Sequence, residues 1–342
     1  MKKKQSKLVT VLIPVKNGER FIGEALSSVL QQTHVNLEIL VIDDNSEDET
    51  LQIVSSFEDE RVTVLLNPGN GLVDALNFGI TEAKGDYIAR MDADDICKIN
   101  RIERQVCSLE ANPEVGCVTS DAYLIDEAGN KIGSIVNRKA TSHSILQYLL
   151  FNGPGKPLVH PSAMFRQELL KAIPYREFSY AEDRDLWLRI LANSEIRVLN
   201  EKLLLYRINS GGVSHQRVDS QLLSSTMTAV NYCLVESEKV DFYEKRCGVF
   251  KEISRIVSLE LEEVSRGLNV WKKFRSALSK RQLVLAFSIY LKAKVCRIAC
   301  FTPTSRRLRQ KSILDRALLH CRQLEKSKFY FSDHALKKIY RE

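Results

Sequence analysis

The alternation of apolar runs with amphipathic segments over the first 110 residues narrows the folds open to this chain more than any other feature. Val9 to Pro14 reads as a strand, and Phe21, Ile22, Ala25, Leu26, Val29 and Leu30 then recur at helical spacing. Leu37 to Ile42 is a second strand, running into Asp43-Asp44-Asn45-Ser46. Ser46 followed by Glu49 has the form of a capping box and predicts a helix as far as Phe57. Val62 to Leu66 is a third strand, Leu72 to Ala83 a helix after Gly69-Asn70-Gly71, and a fourth strand ends at Met91. Such a β-α-β-α-β series predicts an α/β fold with a mostly parallel central sheet and helices on both faces. Ligands of such sheets bind at the carboxyl ends of the strands. Here those ends carry Asn17, Asp43, Asp44 and the cluster Asp92–Asp95.

The cluster lies in Arg90-Met91-Asp92-Ala93-Asp94-Asp95. Carboxylates this close repel one another unless a cation or strong donors intervene. Their hard oxygens suit magnesium or manganese, which commonly bridge to substrate phosphates. Taken alone, such a motif is more often an acidic loop or a helix cap. Asp43-Asp44 reads equally well as a cap for the next helix. A nucleotide-diphosphate substrate accounts for the set economically. Asp44 would accept from a base N–H, Asp92 would bind ribose hydroxyls, and Asp94 would hold a divalent cation against the diphosphate.

Beyond residue 115 the elements shorten. Strands are expected over 116–120, 122–125 and 131–136, the last two joined by the turn Glu127-Ala128-Gly129-Asn130. Residues 141–151 and 182–192 read as helices, and 160–165 and 203–207 as extended segments. From about 214 the pattern is helical, interrupted at Thr302-Pro303-Thr304.

Charge divides the chain in two. The net charge is +7, yet residues 241–342 alone carry 24 Lys and Arg against 10 Asp and Glu. The rest is therefore acidic, and two regions with different partners are implied. The eight cysteines form no C-x-x-C pair, so reduced buried thiols and a cytoplasmic location are expected. No apolar run approaches the roughly 20 residues that span a bilayer, and the short N-terminal run does not read as a signal peptide.

Three segments resemble glycosyltransferase family 2, in the family's order and over roughly residues 8–215. They lie within residues 8–52 (VTVLIPVKNGERFIGEALSSVLQQT…LEILVIDDNSEDET), 71–104 (GLVDALNFGITEAKGDYIARMDADDICKINRIER) and 160–190 (HPSAMFRQ…YAEDRDLWLRI). The resemblance implies a GT-A fold and transfer of a sugar from a nucleotide diphosphate with inversion at the anomeric carbon. It implies that Asp44 contacts the base, Asp92 the ribose and Asp94 the Mn2+ or Mg2+ ion, with Pro14, Val15 and Glu19 along the nucleotide. Asp183, in Ala181-Glu182-Asp183-Arg184-Asp185, would be the general base. Inverting transfer needs one carboxylate to take the acceptor proton opposite a metal-stabilised leaving group. Capping of the helix that begins there is the competing reading for the acidic run. UDP is the default nucleotide, with GDP and dTDP as alternatives.

His160, Glu182, Trp187 and His215 are further candidates for acceptor or loop contacts. A satisfied buried histidine competes with that reading for His160, and a core position competes for Trp187. A catalytic domain over 1–215 and a basic, mostly helical region over 216–342 are expected. Within the latter, residues 264–311 combine basic and apolar side chains, as in a helix lying on an anionic membrane, or in a subdomain with a solvated basic face. Nucleic acid is not an expected partner. The expected acceptor is a growing, lipid-linked cell-surface glycan, met at the inner face of the membrane. A processive synthase is disfavoured because the Q-x-x-R-W motif and membrane spans are missing. A nucleotidyltransferase is disfavoured because Pro14-Val15-Lys16-Asn17-Gly18 is not a Gly-rich basic loop. A catalytically inactive carbohydrate-binding or scaffold protein of the same fold is the alternative from another class.

Overall fold

The computed structural model describes residues 6–137, 140–151, 158–177 and 181–209, with Ser225 and Thr228. All belong to one compact unit, Met1–Thr228. His215 lies outside the described residues, as do the C-terminal region 216–342 (Ser225 and Thr228 apart) and its basic segment 264–311. Among the described residues no helix is long and apolar enough to cross a membrane.

The first half follows the sequence closely. It runs β1 (Val9–Val15), α1 (Ile22–Leu30), β2 (Leu37–Asp43), α2 (Thr50–Ser55), β3 (Val62–Leu66), α3 (Leu72–Glu82) and β4 (Tyr87–Arg90). The strands lie side by side as β3-β2-β1-β4, all parallel. Every residue of β1 is buried, because helices cover both faces, and this is why its sequence is apolar throughout rather than alternating. On one face Ile22, Leu26 and Val29 of α1 join Val9, Val11 and Ile13 in the core. Leu12 points to the opposite face, where α3 comes so close that a Cβ on Gly79 would stand 2.2 Å from Leu12 Cδ1. Each fully buried Leu or Ile here contributes roughly 1.5–3 kcal/mol.

The capping box expected at Ser46 and Glu49 does not form, and α2 begins at Thr50. Ser46 Oγ instead accepts the Asn17 N–H at 2.8 Å, and Glu19 Oε2 accepts the Glu49 N–H at 3.1 Å. The loops after β1 and β2 are thus laced together. Asn17 and Asn45 turn with φ of 51° and 59°, a left-handed conformation that asparagine tolerates better than most residues.

The second half comprises β5 (Ile96–Cys97), α4 (Arg101–Ala111), β6 (Val115–Ile125), β7 (Lys131–Ile135), α5 (Ser142–Phe151), β8 (Met164–Arg166), α6 (Gln167–Ala172), α7 (Glu182–Asn193) and β9 (Glu195–Arg207). It extends the sheet to the order β3-β2-β1-β4-β8-β6-β9-β5, with β7 hairpinned to β6. β8 is antiparallel to both β4 and β6, β9 is parallel to β6, and β5 is antiparallel to β9. The sheet is therefore parallel in its first half and mixed in its second. Three sequence expectations change here. Residues 160–165 open with a 3-10 turn, His160–Ser162, started by Pro161. The two strands expected over 116–125 are one, its register against β9 slipping on either side of Asp121. The helices α4 and α6 had no counterpart in the sequence reading.

Candidate active site

The strand order reverses between β1 and β4, where α/β sheets open a crevice. Pairing of β1 with β4 stops at Leu12 and Arg90. The Leu12 carbonyl faces β4 and the Val15 carbonyl faces β2, so the nitrogen of Pro14 points to the side where pairing has ended. A proline sits there without removing a ladder bond. Pro14 and Val15 are buried along this wall.

Across the crevice the acidic loop follows β4. Oxygens of Asp92, Asp94 and Asp95 lie within 4.8 Å of one another. Asp92 is paired with Arg90 Nη2 at 2.5 Å. Asp94 Oδ2 accepts from the Asn209 amide. Asp95 is wholly buried. Its Oδ1 accepts the Arg207 N–H at 2.9 Å, while its Oδ2 has no partner among the described residues. Burial, then the charge of Asp92, pushes Asp94 up to about 6 and Asp95 well above the usual carboxylate range. Converging hard oxygens with one buried oxygen left over fit a magnesium or manganese ion, which would stabilise the ionised forms.

Arg207 fastens this loop to the rest of the fold. Its Nε donates to the Asp94 carbonyl at 2.8 Å, its Nη1 to the Glu127 carbonyl at 3.0 Å and its Nη2 to Glu24 at 2.5 Å. Phe21 lies under the same guanidinium, 4.3 Å from ring centroid to Cζ.

The two carboxylates at the end of β2 divide their work. Asp43 Oδ2 accepts the Ser46 N–H at 3.1 Å, the turn-capping part of the competing reading. Asp44 takes the Gly71 N–H on both oxygens at 3.0 Å and Asn67 Nδ2 at 2.7 Å, with Lys16 Nζ 3.6 Å away. It therefore ties the loop before α3 to the floor of the crevice. Glu19, expected along the nucleotide, is exposed and bonded to the Glu49 N–H beside α2.

Asp183 and Glu182 lie in the first turn of α7. Asp183 Oδ1 accepts the neighbouring Arg184 N–H at 2.6 Å. Burial, then the charge of Asp183, pushes Glu182 up to about 7, and burial raises Asp183 as well. Arg90, the partner of Asp92, opposes both shifts, so one buried guanidinium acts on both carboxylate groups. Asp185 turns aside to Arg189 Nε at 2.8 Å.

The remaining candidates are structural in this arrangement. His160 Nε2 is 2.7 Å from Tyr175 Oη, and its ring meets Trp187 edge-on at 5.7 Å. Burial and Arg90 push His160 well below its usual range, so it is neutral. Trp187 is wholly buried and stacks on Phe165 at 5.6 Å. A sugar would find no free face of that indole, which corrects the acceptor-contact reading for Trp187. Sequence reasoning passed over Arg90, Arg101, Arg207 and Asn209. The adjacency of Arg90 to the motif was the one available signal, since Arg207 and Asn209 reach the loop from more than 110 positions away.

Comparison with known proteins bears on the family and the fold. A family model described as glycosyl transferase family 2 matches residues 10–173. An uncharacterized glycosyltransferase of Haemophilus influenzae is 30% identical over 278 residues, covering 78% of this chain and 83% of its own length. Among solved structures, S. aureus TarS 1–349 in complex with UDP-GlcNAc aligns with a TM-score of 0.60 at 15% identity, over 95% of this chain and 93% of that one. The mannosyltransferase PcManGT from Pyrobaculum calidifontis, in complex with GDP-Man and Mn2+, aligns at 0.52 and 17% identity, over 92% and 87%. At such identities the structures speak for the GT-A fold alone. The relative that matches along most of both chains decides the family: this chain belongs to glycosyltransferase family 2 and is a glycosyltransferase.

Proposed function

We propose that the protein transfers a sugar from a nucleotide-diphosphate sugar to an acceptor hydroxyl by one inverting displacement. The observation that carries this reading is the shared field of Arg90. It is ion-paired to Asp92, and its charge also acts on Glu182 and Asp183, which brings the acidic loop near the start of α7. Asp94, with Asp92 and Asp95 beside it, would hold a divalent cation, manganese or magnesium, which would supply positive charge for the departing diphosphate. Asp183 removes the acceptor proton as the new glycosidic bond forms and the bond from the anomeric carbon to phosphate breaks. Burial raises its affinity for a proton, which strengthens it as a base. Glu182, beside it, is itself raised by burial and by the charge of Asp183.

Asp44 meets the base through whatever acceptor capacity Gly71 and Asn67 leave on its carboxylate, and Pro14 and Val15 line the nucleotide. A UDP-sugar is the favoured donor. UDP-GlcNAc in TarS and GDP-Man in PcManGT support a nucleotide-sugar donor without choosing the base. The acceptor is a growing, lipid-linked cell-surface glycan, met by a cytoplasmic protein at the inner membrane face through residues 264–311. Thermal unfolding with UDP, GDP, dTDP and CMP, each with and without manganese, tests the donor assignment. A shift for one nucleotide that needs both manganese and Asp94 is the expected result. Unfolding midpoints that ignore every nucleotide would remove the donor site.

A further inference from the structure

Three buried arginines lie against the acidic loop, and one of them has no counter-ion among the described residues. Arg90 is paired with Asp92, and Arg207 with Glu24. Arg101, at the start of α4, is wholly buried. Among the described residues its guanidinium donates only to neutral groups. These are the Arg90 carbonyl at 2.7 Å, Gln105 Oε1 at 3.1 Å, Cys97 Sγ at 3.2 Å and the Ala163 carbonyl at 3.5 Å. A desolvated cation without a carboxylate is costly to keep. Two of its contacts lie at the ends of the loop, Arg90 two positions before Asp92 and Cys97 two after Asp95. Its guanidinium therefore bonds to residues on both flanks of the loop proposed above to hold a divalent cation.

A fixed charge in that position opposes a second cation. At an effective dielectric constant of about 20, one unit charge roughly 10 Å from a divalent ion weakens binding by more than tenfold. A diphosphate that arrives with the ion brings further negative charge, which offsets the repulsion from Arg101. We propose that Arg101 holds the divalent-cation affinity of the Asp92–Asp95 loop low until a nucleoside diphosphate is present, so that metal and donor load together. The inference rests on the metal assignment in the function proposed above. Arg101 acts through its charge and through the Arg90 carbonyl, and touches no reacting atom.

The test is manganese binding rather than turnover. MnCl2 is titrated into the full chain, and bound ion is followed by electron paramagnetic resonance. Titrations are run alone and with UDP or GDP, against protein-free controls for chelation by the nucleotide. Wild type should bind manganese at least about tenfold more tightly with a diphosphate than without. Arg101→Met should tighten binding of manganese alone by about tenfold, while Arg101→Lys, which keeps the charge, should stay weak. Thermal melts establish that each variant is folded. Weaker manganese binding in both variants would mean a purely structural role and would overturn the inference. Equal wild-type affinity with and without diphosphate would also overturn it, leaving the metal site itself in place. No manganese bound under any condition would remove the inference and the metal assignment together.

Discussion

The half of the sheet built from β1 to β4 and the half built from β5 to β9 reach the same crevice by different routes. In the first, β1, β2 and β3 pair in chain order and β4 returns beside β1, Tyr87 against Val9, with the carboxylates at strand ends. In the second, β8 inserts between β4 and β6, and β9 returns beside β6 from about 80 positions on. The acidic run on α7 is placed by those long-range pairings. The framework proposed for the donor is thus parallel throughout and that proposed for the acceptor is mixed, and Arg90, ion-paired to Asp92, is among the charges that act on Asp183.

If the acceptor half supplies the base and the donor half only binds, the two separate under mutation. Asp183→Asn should lower kcat by about 10²–10⁴ while leaving the manganese-dependent nucleotide shift in the unfolding midpoint intact. Loss of both together would merge the two roles and break the comparison. Packing in the acceptor half sharpens it next. Trp187→Ala should cost about 3–5 kcal/mol of stability, and Trp187→Phe much less, with acceptor KM unchanged in the second. A large KM effect in Trp187→Phe would return Trp187 to the substrate. On the donor side Gly79→Ala should cost about 1–3 kcal/mol by overpacking against Leu12, as read from denaturant melts.

The smallest effect concerns the junction. Asp94 is raised to about 6 in the fold, so the metal-free native state binds its proton more tightly than the unfolded chain does. Its protonated form favours folding at low pH, and that contribution is lost as pH rises through about 6. Metal-free Asp94→Asn should therefore gain on the order of 1 kcal/mol over wild type at pH 7.5 and nothing at pH 4. Thermal melts at both values measure it, and a gain that is the same at both would exclude the linkage.

How far each half could be read from sequence follows the same divide. The strands of the first half were legible to within a residue or two because burial on both faces leaves an unbroken apolar run. The helix after β2 was misplaced because Ser46 and Glu49 found partners on the loop after β1, which no local window contains. In the second half β6 and β9 were each read short. The sequence breaks near Asp121 and Asn200–Lys202 are absorbed by register slips in a pairing 80 positions apart.

From sequence alone came the parallel opening of the sheet, the carboxylates at its strand ends and, through three ordered motifs, the family. Burial periodicity and short acidic runs are local properties, and local properties are written in contiguous residues. The tertiary structure alone decided that Asp44 is held by Gly71 and Asn67, that Trp187 is core, and that Arg90, Arg101 and Arg207 converge on one acidic loop. Those contacts join residues from separate elements, and their strength comes from desolvation and charge that exist only once the elements have packed.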